Sequence, residues 1–345
     1  MTPESRAASV LDVAVLDGAF PGAVAEVGSA AGAMWQYATG HLTYEPGSPP
    51  AGGGTIYDLA SLTKVIATTS AAMRLADTGA LDIEARVAAW MPEWQDGPFR
   101  DVSVRDLLEH SSGLPAWLPL FREHAGREEF RRAIAALAPD YAPRTASVYS
   151  DLGFIVLGHV VESASGRALD RMFEDLKAEA SLPATISYGA PAGAEIAPTE
   201  FDPWRGRLAA GDVHDENGAA LGGVAPHAGL FGTAASVGAF ARLVLRTFDD
   251  DTPLGTPAMM ARFAARSTVP GSSRALGWDT MLTSSSCGER MSEGAIGHTG
   301  FTGTSLWIDR ARGRYYVLLS NRVHPTRENR KIQQVRRAFH DAWAH

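Results

Sequence analysis

The spacing of apolar residues along this chain predicts helices through much of its length and short strands near both ends. Helical spacing appears in the segments 4–18, 61–78, 103–109, 127–138, 152–165, 168–179, 235–248 and 326–343. Runs rich in β-formers, bounded by glycine or by turns, predict strands at 21–28, 31–39, 295–301, 304–309 and 315–320. The stretch 181–226 is rich in Gly, Pro and Ala and is predicted to be irregular.

Strands at both ends of the chain, with helices between them, predict an α+β fold that is discontinuous in sequence. A sheet built from 21–39 and 295–320 brings the termini together, and the first and last helices cover one of its faces. We therefore expect a sheet domain made of residues 1–79 and 230–345, and a mainly helical domain made of residues 80–229. A cleft between the two parts is the natural place for a site.

Composition and charge narrow the classes of partner. The 345 residues are 45% hydrophobic and 20% charged, which fits one large globular domain or two closely joined ones. The net charge is −8 and no basic stripe is present, so nucleic acid is not an expected partner. Cys287 is the single cysteine and the histidines are scattered, so no disulfide, metal or organic cofactor is expected.

Nothing near the N-terminus predicts export or membrane insertion. Asp12 and Asp17 interrupt any apolar core of a signal peptide, and no run of about 18 apolar residues predicts a membrane span. Unless an export signal has been removed, we expect a cytoplasmic protein with no membrane partner. The sequence leaves the oligomeric state open.

A lysine one helical turn after a serine is the first candidate for chemistry. Only three of the 31 lysine and arginine residues are lysines, and one of them stands in Ser61-Leu62-Thr63-Lys64. Residues three apart on a helix share a face, so Lys64 Nζ is expected to reach Ser61 Oγ. A desolvated, neutral lysine can take the serine proton and so produce a nucleophile. The motif alone also fits an ordinary N-cap serine followed by an exposed lysine.

The segment Tyr149-Ser150-Asp151 offers a second group for proton transfer. It lies just before a predicted helix, where Tyr149 near Lys64 could carry a proton between nucleophile and leaving group. If Asp151 bonds to Lys64, it favours the charged lysine and passes the role of base to Tyr149. A plain N-cap preceded by a packed tyrosine is the alternative interpretation.

The segment His298-Thr299-Gly300 lies on a predicted strand near the C-terminus. Gly300 lets a ligand approach the backbone closely. The backbone N–H of Phe301 could then join that of Ser61 in an oxyanion hole. An ordinary strand end that turns through glycine is the alternative.

In this order the three motifs resemble those of the serine β-lactamase and penicillin-binding-protein superfamily, on its class C-like branch with related carboxylesterases. The segments 107–115, 221–225, 227–231 and 276–278 are also similar to this group, so the resemblance spans roughly residues 5–340. It implies an α+β fold of the β-lactamase/transpeptidase type, with an antiparallel five-stranded sheet flanked by helices and a mainly helical region.

The resemblance also implies roles for individual residues. The implied catalytic residues are Ser61, Lys64 and Tyr149. The implied oxyanion donors are the N–H groups of Ser61 and Phe301. The implied substrate-binding residues are Asp151, His298, Thr299 and Gly300.

Two of these positions depart from the family pattern. Asp151 stands where the group has asparagine, and an ionised carboxylate cannot donate to a substrate carbonyl. His298 stands where β-lactamases have lysine, and an imidazole is only partly charged near neutral pH. We therefore expect hydrolysis of a small ester or amide through an acyl-serine. A β-lactamase or D-amino-acid peptidase, such as a DD-carboxypeptidase, is the alternative, and an inactive relative that only binds a ligand is another.

Overall fold

Ten α-helices are found in the computed structural model, which describes residues 1–343. They are α1 (Pro3–Leu16), α2 (Ser70–Asp77), α3 (Val104–Leu108), α4 (Gly126–Ala135), α5 (Asp151–Ser165), α6 (Leu169–Glu179), α7 (Glu216–Ala220), α8 (Ala234–Thr247), α9 (Pro257–Ala264) and α10 (Ile332–Trp343). Every helix predicted from the sequence has a counterpart, and α7 and α9 are additional short ones. In the described range, no helix combines the length and apolarity needed to cross a bilayer.

The described strands form one large sheet and two small ones. The strands are β1 (Gly22–Ser29), β2 (Gly32–Gly40), β3 (Tyr57–Asp58), β4 (Ser187–Tyr188), β5 (Phe201–Asp202), β6 (Arg207–Leu208), β7 (Leu230–Gly232), β8 (Asp279–Thr280), β9 (Ile296–Thr299), β10 (Ser305–Asp309) and β11 (Arg314–Ser320). The large sheet is antiparallel, with the order β2-β1-β11-β10-β9-β8. All five predicted strands belong to it. The expected strand number is wrong by one, because the edge strand β8 is two residues long and has no readable apolar pattern.

Side chains alternate between the two faces of the large sheet, and each face has its own core. Ala23, Ala25 and Val27 of β1 belong to the core that includes α1 and α10. Val24 of the same strand belongs to the larger core on the other face, with residues of α5 and α8. The first and last helices therefore cover one face of the sheet, as the sequence predicts.

The last helix begins at Ile332 and not at the predicted residue 326, because long-range hydrogen bonds hold the segment before it. Arg322 Nη1 donates to the carbonyl oxygens of Arg327 at 2.8 Å and Asn329 at 2.7 Å. The side chain of Asn329 donates to the carbonyl oxygen of Gly18 at 2.8 Å. The two bonds from Arg322 use carbonyl groups that a helix needs for its own ladder.

A three-stranded sheet with the order β3-β7-β4 connects the segment before Ser61 to the stretch 181–226. Phe231 of β7 lies opposite Asp58 of β3 on one side and Ser187 of β4 on the other. The stretch predicted to be irregular thus contains β4, β5, β6 and α7, each of five residues or fewer. Because Asp58 ends β3, this small sheet fixes where the turn with Ser61 begins.

Candidate active site

A cavity of about 770 Å³ lies beside the end of strand β9. Predicted site residues from three distant segments line it, namely Ser61, Tyr149, Asp151, His298, Thr299, Gly300 and Phe301. Lys64 is fully buried and contacts Ser61. The fold therefore brings all the predicted residues together. Among residues 1–343, no group of three or more His, Cys, Asp or Glu side chains is arranged to hold a metal ion.

Ser61 stands at the end of a tight turn that the side chain of Asp58 stabilises. Asp58 Oδ1 accepts a hydrogen bond from the N–H of Ala60 at 2.7 Å, and Oδ2 accepts one from the N–H of His214 at 2.7 Å. Ala60 has a φ of 47°, a left-handed conformation that is unfavourable for residues other than glycine. Burial raises the pKa of the Asp58 carboxyl, although both N–H groups oppose this shift. The carboxylate thus holds a strained backbone directly before the serine.

The Lys64 ammonium group has three oxygen acceptors within hydrogen-bond distance. Lys64 Nζ lies 3.0 Å from Ser61 Oγ, 3.0 Å from the carbonyl oxygen of His227 and 2.7 Å from Asp151 Oδ1. The predicted 61–78 helix begins with a widened, π-helical stretch, Lys64–Thr69, before α2. Such stretches are frequent at functional sites. An ammonium group has three N–H donors, so this arrangement matches the charged form of the lysine.

The charge state of Lys64 differs from the neutral base that the SxxK motif suggests. Burial alone would lower the pKa of Lys64, but the Asp151 carboxylate and the Tyr149 phenol outweigh burial and raise this pKa above its ordinary value. The side chain of Lys64 is fully buried, whereas that of Asp151 is 17% exposed. Lys64 is therefore protonated in the resting protein, and the bond to Asp151 that the sequence suggested is present.

Tyr149 is surrounded by positively charged and aromatic groups. Its ring centroid lies 5.0 Å from Lys64 Nζ and 5.2 Å from the guanidinium carbon of Arg274. The imidazole rings of His110 and His298 lie 4.7 Å and 5.7 Å from it. Burial raises the pKa of the Tyr149 phenol, and the charge of Lys64 partly opposes that shift. Tyr149 is thus a neutral phenol whose anion Lys64 would stabilise.

Two backbone N–H groups at the cavity are free to bind an oxyanion. The N–H groups of Ser61 and Phe301 donate to no acceptor within residues 1–343. The neighbouring Gly300 N–H donates to the carbonyl oxygen of Thr304 at 2.7 Å. Thr304 Oγ1 in turn donates to the carbonyl oxygen of Leu59 at 3.0 Å, which ties the end of β9 to the serine turn.

Replacing Gly300 with alanine is expected to lower kcat/KM by about 100-fold, the cost of a small misplacement of reacting groups. The added methyl group would lie 2.5 Å from the carbonyl oxygen of Leu59 and even closer to Thr304 Oγ1. It therefore forces the Phe301 peptide away from the serine turn. Ester hydrolysis measured beside a Gly294→Ala control checks this, because a methyl group at Gly294 meets nothing within 4 Å. Equal activity of the two variants would show that the close approach at Gly300 has no catalytic role.

His298 is a neutral imidazole, in contrast to the partly charged group that its sequence position suggests. Burial, together with the charges of Arg274 and Lys64, lowers the pKa of His298 well below its ordinary value. Its Nδ1 lies 2.8 Å from the carbonyl oxygen of Thr299 and acts as the donor there. The fixed positive charge on this side of the cavity belongs to Arg274, whose nearest carboxylate oxygen in the described part of the chain, on Asp279, is 3.9 Å away.

Several residues of the site have no motif that sequence reasoning could use. Arg274 lines the cavity from a loop before β8, and only the folded chain places it there. The run 214–217, His-Asp-Glu-Asn, lies beside the cavity, where all but the half-buried Asp215 are buried. Four consecutive polar residues in a Gly- and Ala-rich stretch are the signal that could have indicated it. Within this run, Asp215 Oδ1 lies 2.8 Å from Nε2 of His227, the residue whose carbonyl group accepts from Lys64.

Known proteins resemble this chain in both sequence and structure. Residues 9–340 match the profile of the family described as Beta-lactamase. An N-acetylmuramyl-L-alanine amidase of Bacillus subtilis (strain 168) is 31% identical over 310 residues, which cover 78% of this chain and 68% of the relative. A putative D-alanyl-D-alanine carboxypeptidase of Escherichia coli (strain K12) is 30% identical over 305 residues, which cover 79% of this chain and 70% of the relative.

Two solved structures share the fold at low sequence identity. EstCE1, described as a hydrolase with promiscuous acyltransferase activity, has a TM-score of 0.79 at 20% identity, covering 99% of this chain and 98% of its own. A class C beta lactamase from Rhodobacter sphaeroides has a TM-score of 0.76 at 18% identity, covering 98% of each chain.

Proposed function

Because the chain belongs to the Beta-lactamase family of serine hydrolases, we propose that it hydrolyses a small ester or amide through an acyl-enzyme on Ser61. The observation that carries this proposal is the 3.0 Å contact between Lys64 Nζ and Ser61 Oγ at the wall of a large cavity. The free N–H groups of Ser61 and Phe301 support it, because an acyl transfer needs donors for the oxyanion of its tetrahedral intermediate.

In the acylation step, Ser61 Oγ attacks the carbonyl carbon of the substrate. The deprotonated fraction of Tyr149, stabilised by the Lys64 ammonium group, takes the proton from Ser61. The N–H groups of Ser61 and Phe301 hold the negative charge on the former carbonyl oxygen. Tyr149 then gives its proton to the leaving alcohol or amine as the carbon–oxygen or carbon–nitrogen bond breaks. Asp151 keeps Lys64 charged throughout.

In the deacylation step, a water molecule attacks the carbonyl carbon of the acyl-serine. Tyr149, again a phenolate beside charged Lys64, takes a proton from this water. The same proton returns to Ser61 Oγ as the ester bond breaks, and the carboxylic acid leaves. Tyr149 is then again a phenolate, the form in which acylation began, and it returns to the neutral phenol by taking a proton from the released acid or from solvent.

A second candidate is an amidase or peptidase whose amide substrate carries a carboxylate. Arg274 favours it, because its guanidinium group lies beside Tyr149 and, among residues 1–343, has no carboxylate closer than 3.9 Å. An arginine can bind a carboxylate with two parallel hydrogen bonds. The names of the two sequence relatives, an amidase and a putative carboxypeptidase, point in the same direction.

Trapping the acyl-enzyme tests the proposed function. The protein is quenched soon after mixing with p-nitrophenyl acetate and digested, and an acetyl group is sought on the peptide that contains Ser61. Steady-state turnover of this ester, a chromogenic cephalosporin and an N-acylated D-Ala-D-Ala peptide then ranks the substrate classes. Preference for the ester supports an esterase, and preference for the peptide supports the second candidate. Cephalosporin preference points to a β-lactamase, and absence of any acyl-enzyme points to a binding protein.

Replacing Asp151 with asparagine is expected to shift the rising limb of the pH–rate profile to lower pH by about one unit or more. The negative charge of Asp151 raises the pKa of both Lys64 and Tyr149. Its removal therefore lowers both pKa values, so the phenolate of Tyr149 forms at lower pH. The measurement is kcat/KM against pH for a neutral ester, with Asp140→Asn as control. If the rising limb did not shift, Asp151 would not control the pKa values of Lys64 and Tyr149.

A further inference from the structure

Two buried arginines lie next to the peptide group that joins Gly300 to Phe301. Arg322 is 6% exposed and Arg336 is 7% exposed, and both line the cavity that contains Ser61. Within residues 1–343, neither has a carboxylate oxygen at salt-bridge distance. Buried charges are normally paired, so two unpaired cations at one cavity wall call for a physical reason.

Backbone carbonyl groups fix the position of both guanidinium groups. Arg336 Nη2 donates to the carbonyl oxygens of Gly300 at 2.6 Å and Thr304 at 2.8 Å. Arg322 Nε donates to the carbonyl oxygen of Phe301 at 2.7 Å. The guanidinium carbon of Arg322 also lies 4.3 Å from the ring centroid of Phe301. Both cations are thus held rigidly around the residue that supplies one of the oxyanion N–H groups.

Each of these arginines keeps donors that the protein leaves unused. Arg322 Nη2 and Arg336 Nη1 make no hydrogen bond in the described part of the chain. Arg336 Nε is enclosed without a partner, whereas the two free Nη atoms are not enclosed. The unused donors therefore belong to two rigid guanidinium groups at the same cavity wall.

The two positive charges destabilise one another at the cavity wall. Burial lowers the pKa of Arg336 to about 9, and the nearby charge of Arg322 adds to this shift. Burial likewise lowers the pKa of Arg322. A bound anion would relieve both effects, since it supplies the missing opposite charge and accepts the free hydrogen bonds.

The acidic residues near this pair are largely engaged elsewhere. Glu200 and Glu216 both pair with Arg327, and Glu200 also lies 2.8 Å from His214 Nε2. Glu328 lines the same cavity, and its carboxylate makes no salt bridge or hydrogen bond in the described residues. Glu328 and Glu200 both act electrostatically on Arg322, so their repulsion of an anion limits the affinity of the site.

We propose that Arg322 and Arg336 form a subsite for an anionic group, a carboxylate or a phosphate, on the substrate that Ser61 attacks. That the anionic group belongs to a substrate rests on the proposed function. The subsite is separate from Arg274, because Arg274 precedes the edge strand β8 whereas Arg322 follows β11, on the other side of β9. A substrate that uses both carries two anionic groups.

Calorimetric titration with succinate and with inorganic phosphate tests the subsite without any turnover. Wild type is expected to bind at least one of these anions, and the neutral analogue succinamide is expected not to bind. Arg322→Gln and Arg336→Gln should each weaken binding by about 10-fold or more, the loss of a charge-assisted hydrogen bond. Arg171→Gln is the matched control, because the Arg171 side chain is 74% exposed on α6. Tighter binding of succinate indicates a carboxylate ligand, and tighter binding of phosphate indicates a phosphorylated one.

Three outcomes overturn the subsite. The first is that wild type binds neither anion. The second is that Arg274→Gln loses binding while Arg322→Gln keeps it. The third is a crystal structure of wild type in which the anion lies away from Arg322 and Arg336. The crystal also decides the matter if the glutamine variants fail to fold, and Arg322→Lys offers a milder change. Anion binding at this site without any acyl-enzyme on Ser61 would refute the proposed function and leave the subsite standing. An acyl-enzyme on Ser61 with no anion binding would support the proposed function and refute the subsite.

Discussion

Replacing Ser61 with alanine is expected to lower kcat/KM for short p-nitrophenyl esters by about 10³-fold or more, as loss of a catalytic nucleophile does in other serine hydrolases. Ser61 Oγ is the hydroxyl that Lys64 Nζ contacts at 3.0 Å, and no other serine among residues 1–343 shares that contact. Removing one oxygen atom from a partly buried side chain leaves the fold intact, so the loss is chemical. The measurement is initial-rate hydrolysis, with thermal unfolding as the check on folding.

The matched control for this variant is Ser5→Ala. It removes an exposed hydroxyl on α1 that does not line the cavity. It is expected to retain wild-type rates. If Ser61→Ala kept more than about a tenth of the activity, well above the residual rate left when a nucleophile is removed, the acyl-serine mechanism would be wrong.

Replacing Lys64 with methionine is the second change with a large expected effect, a loss of about 10³-fold in kcat/KM. The positive charge of Lys64 lowers the pKa of Tyr149 against the opposing effect of burial. Without it, the Tyr149 phenolate becomes rarer at every working pH, and Ser61 Oγ loses its donor. The rising limb of the pH–rate profile should therefore move to higher pH, opposite to the shift expected for Asp151→Asn.

The Lys64→Met variant should still fold while it loses activity. Methionine has a similar volume, but the change removes one partner of a buried ion pair and leaves the Asp151 carboxylate, which is 17% exposed. Denaturant unfolding is expected to show a loss of about 3 kcal/mol, the lower end of the usual cost of breaking such a pair, because water can partly solvate this carboxylate. Lys331→Met, which alters an exposed lysine, is the control. If the lost activity of Lys64→Met were fully explained by the fraction of protein that has unfolded, Lys64 would have a structural role only.

Local features of the fold were predictable because they depend on neighbours in sequence. Ser103 and Asp106 form the capping box that begins α3, and their three-residue spacing is enough to predict it. Runs rich in β-formers predicted β1, β10 and β11, whose residues are almost all buried. The SxxK spacing likewise placed Lys64 within reach of Ser61. The two-residue strand β8 has no periodic pattern and was missed, and hydrogen bonds from Arg322 make α10 begin later than its apolar spacing predicts.

The division into a sheet domain and a helical domain stays a prediction, and so do the roles of the individual site residues. What the structure adds is their proximity. The turn with Ser61, the Tyr149 loop and the end of β9 line one cavity. The sequence relatives support the family and leave the substrate open.

By itself, the sequence determined the family and predicted the nucleophile and its lysine, because these depend on residue types at short, regular spacings. Only the tertiary structure decided the charge states, since a pKa depends on burial and on groups brought together from distant segments. Asp151 keeps Lys64 protonated, and burial keeps His298 neutral. Arg274 and Arg322 enter the cavity from segments without a motif, through the pairing of the strands beside them. Specificity therefore depends on long-range packing, which a single sequence does not express as a pattern.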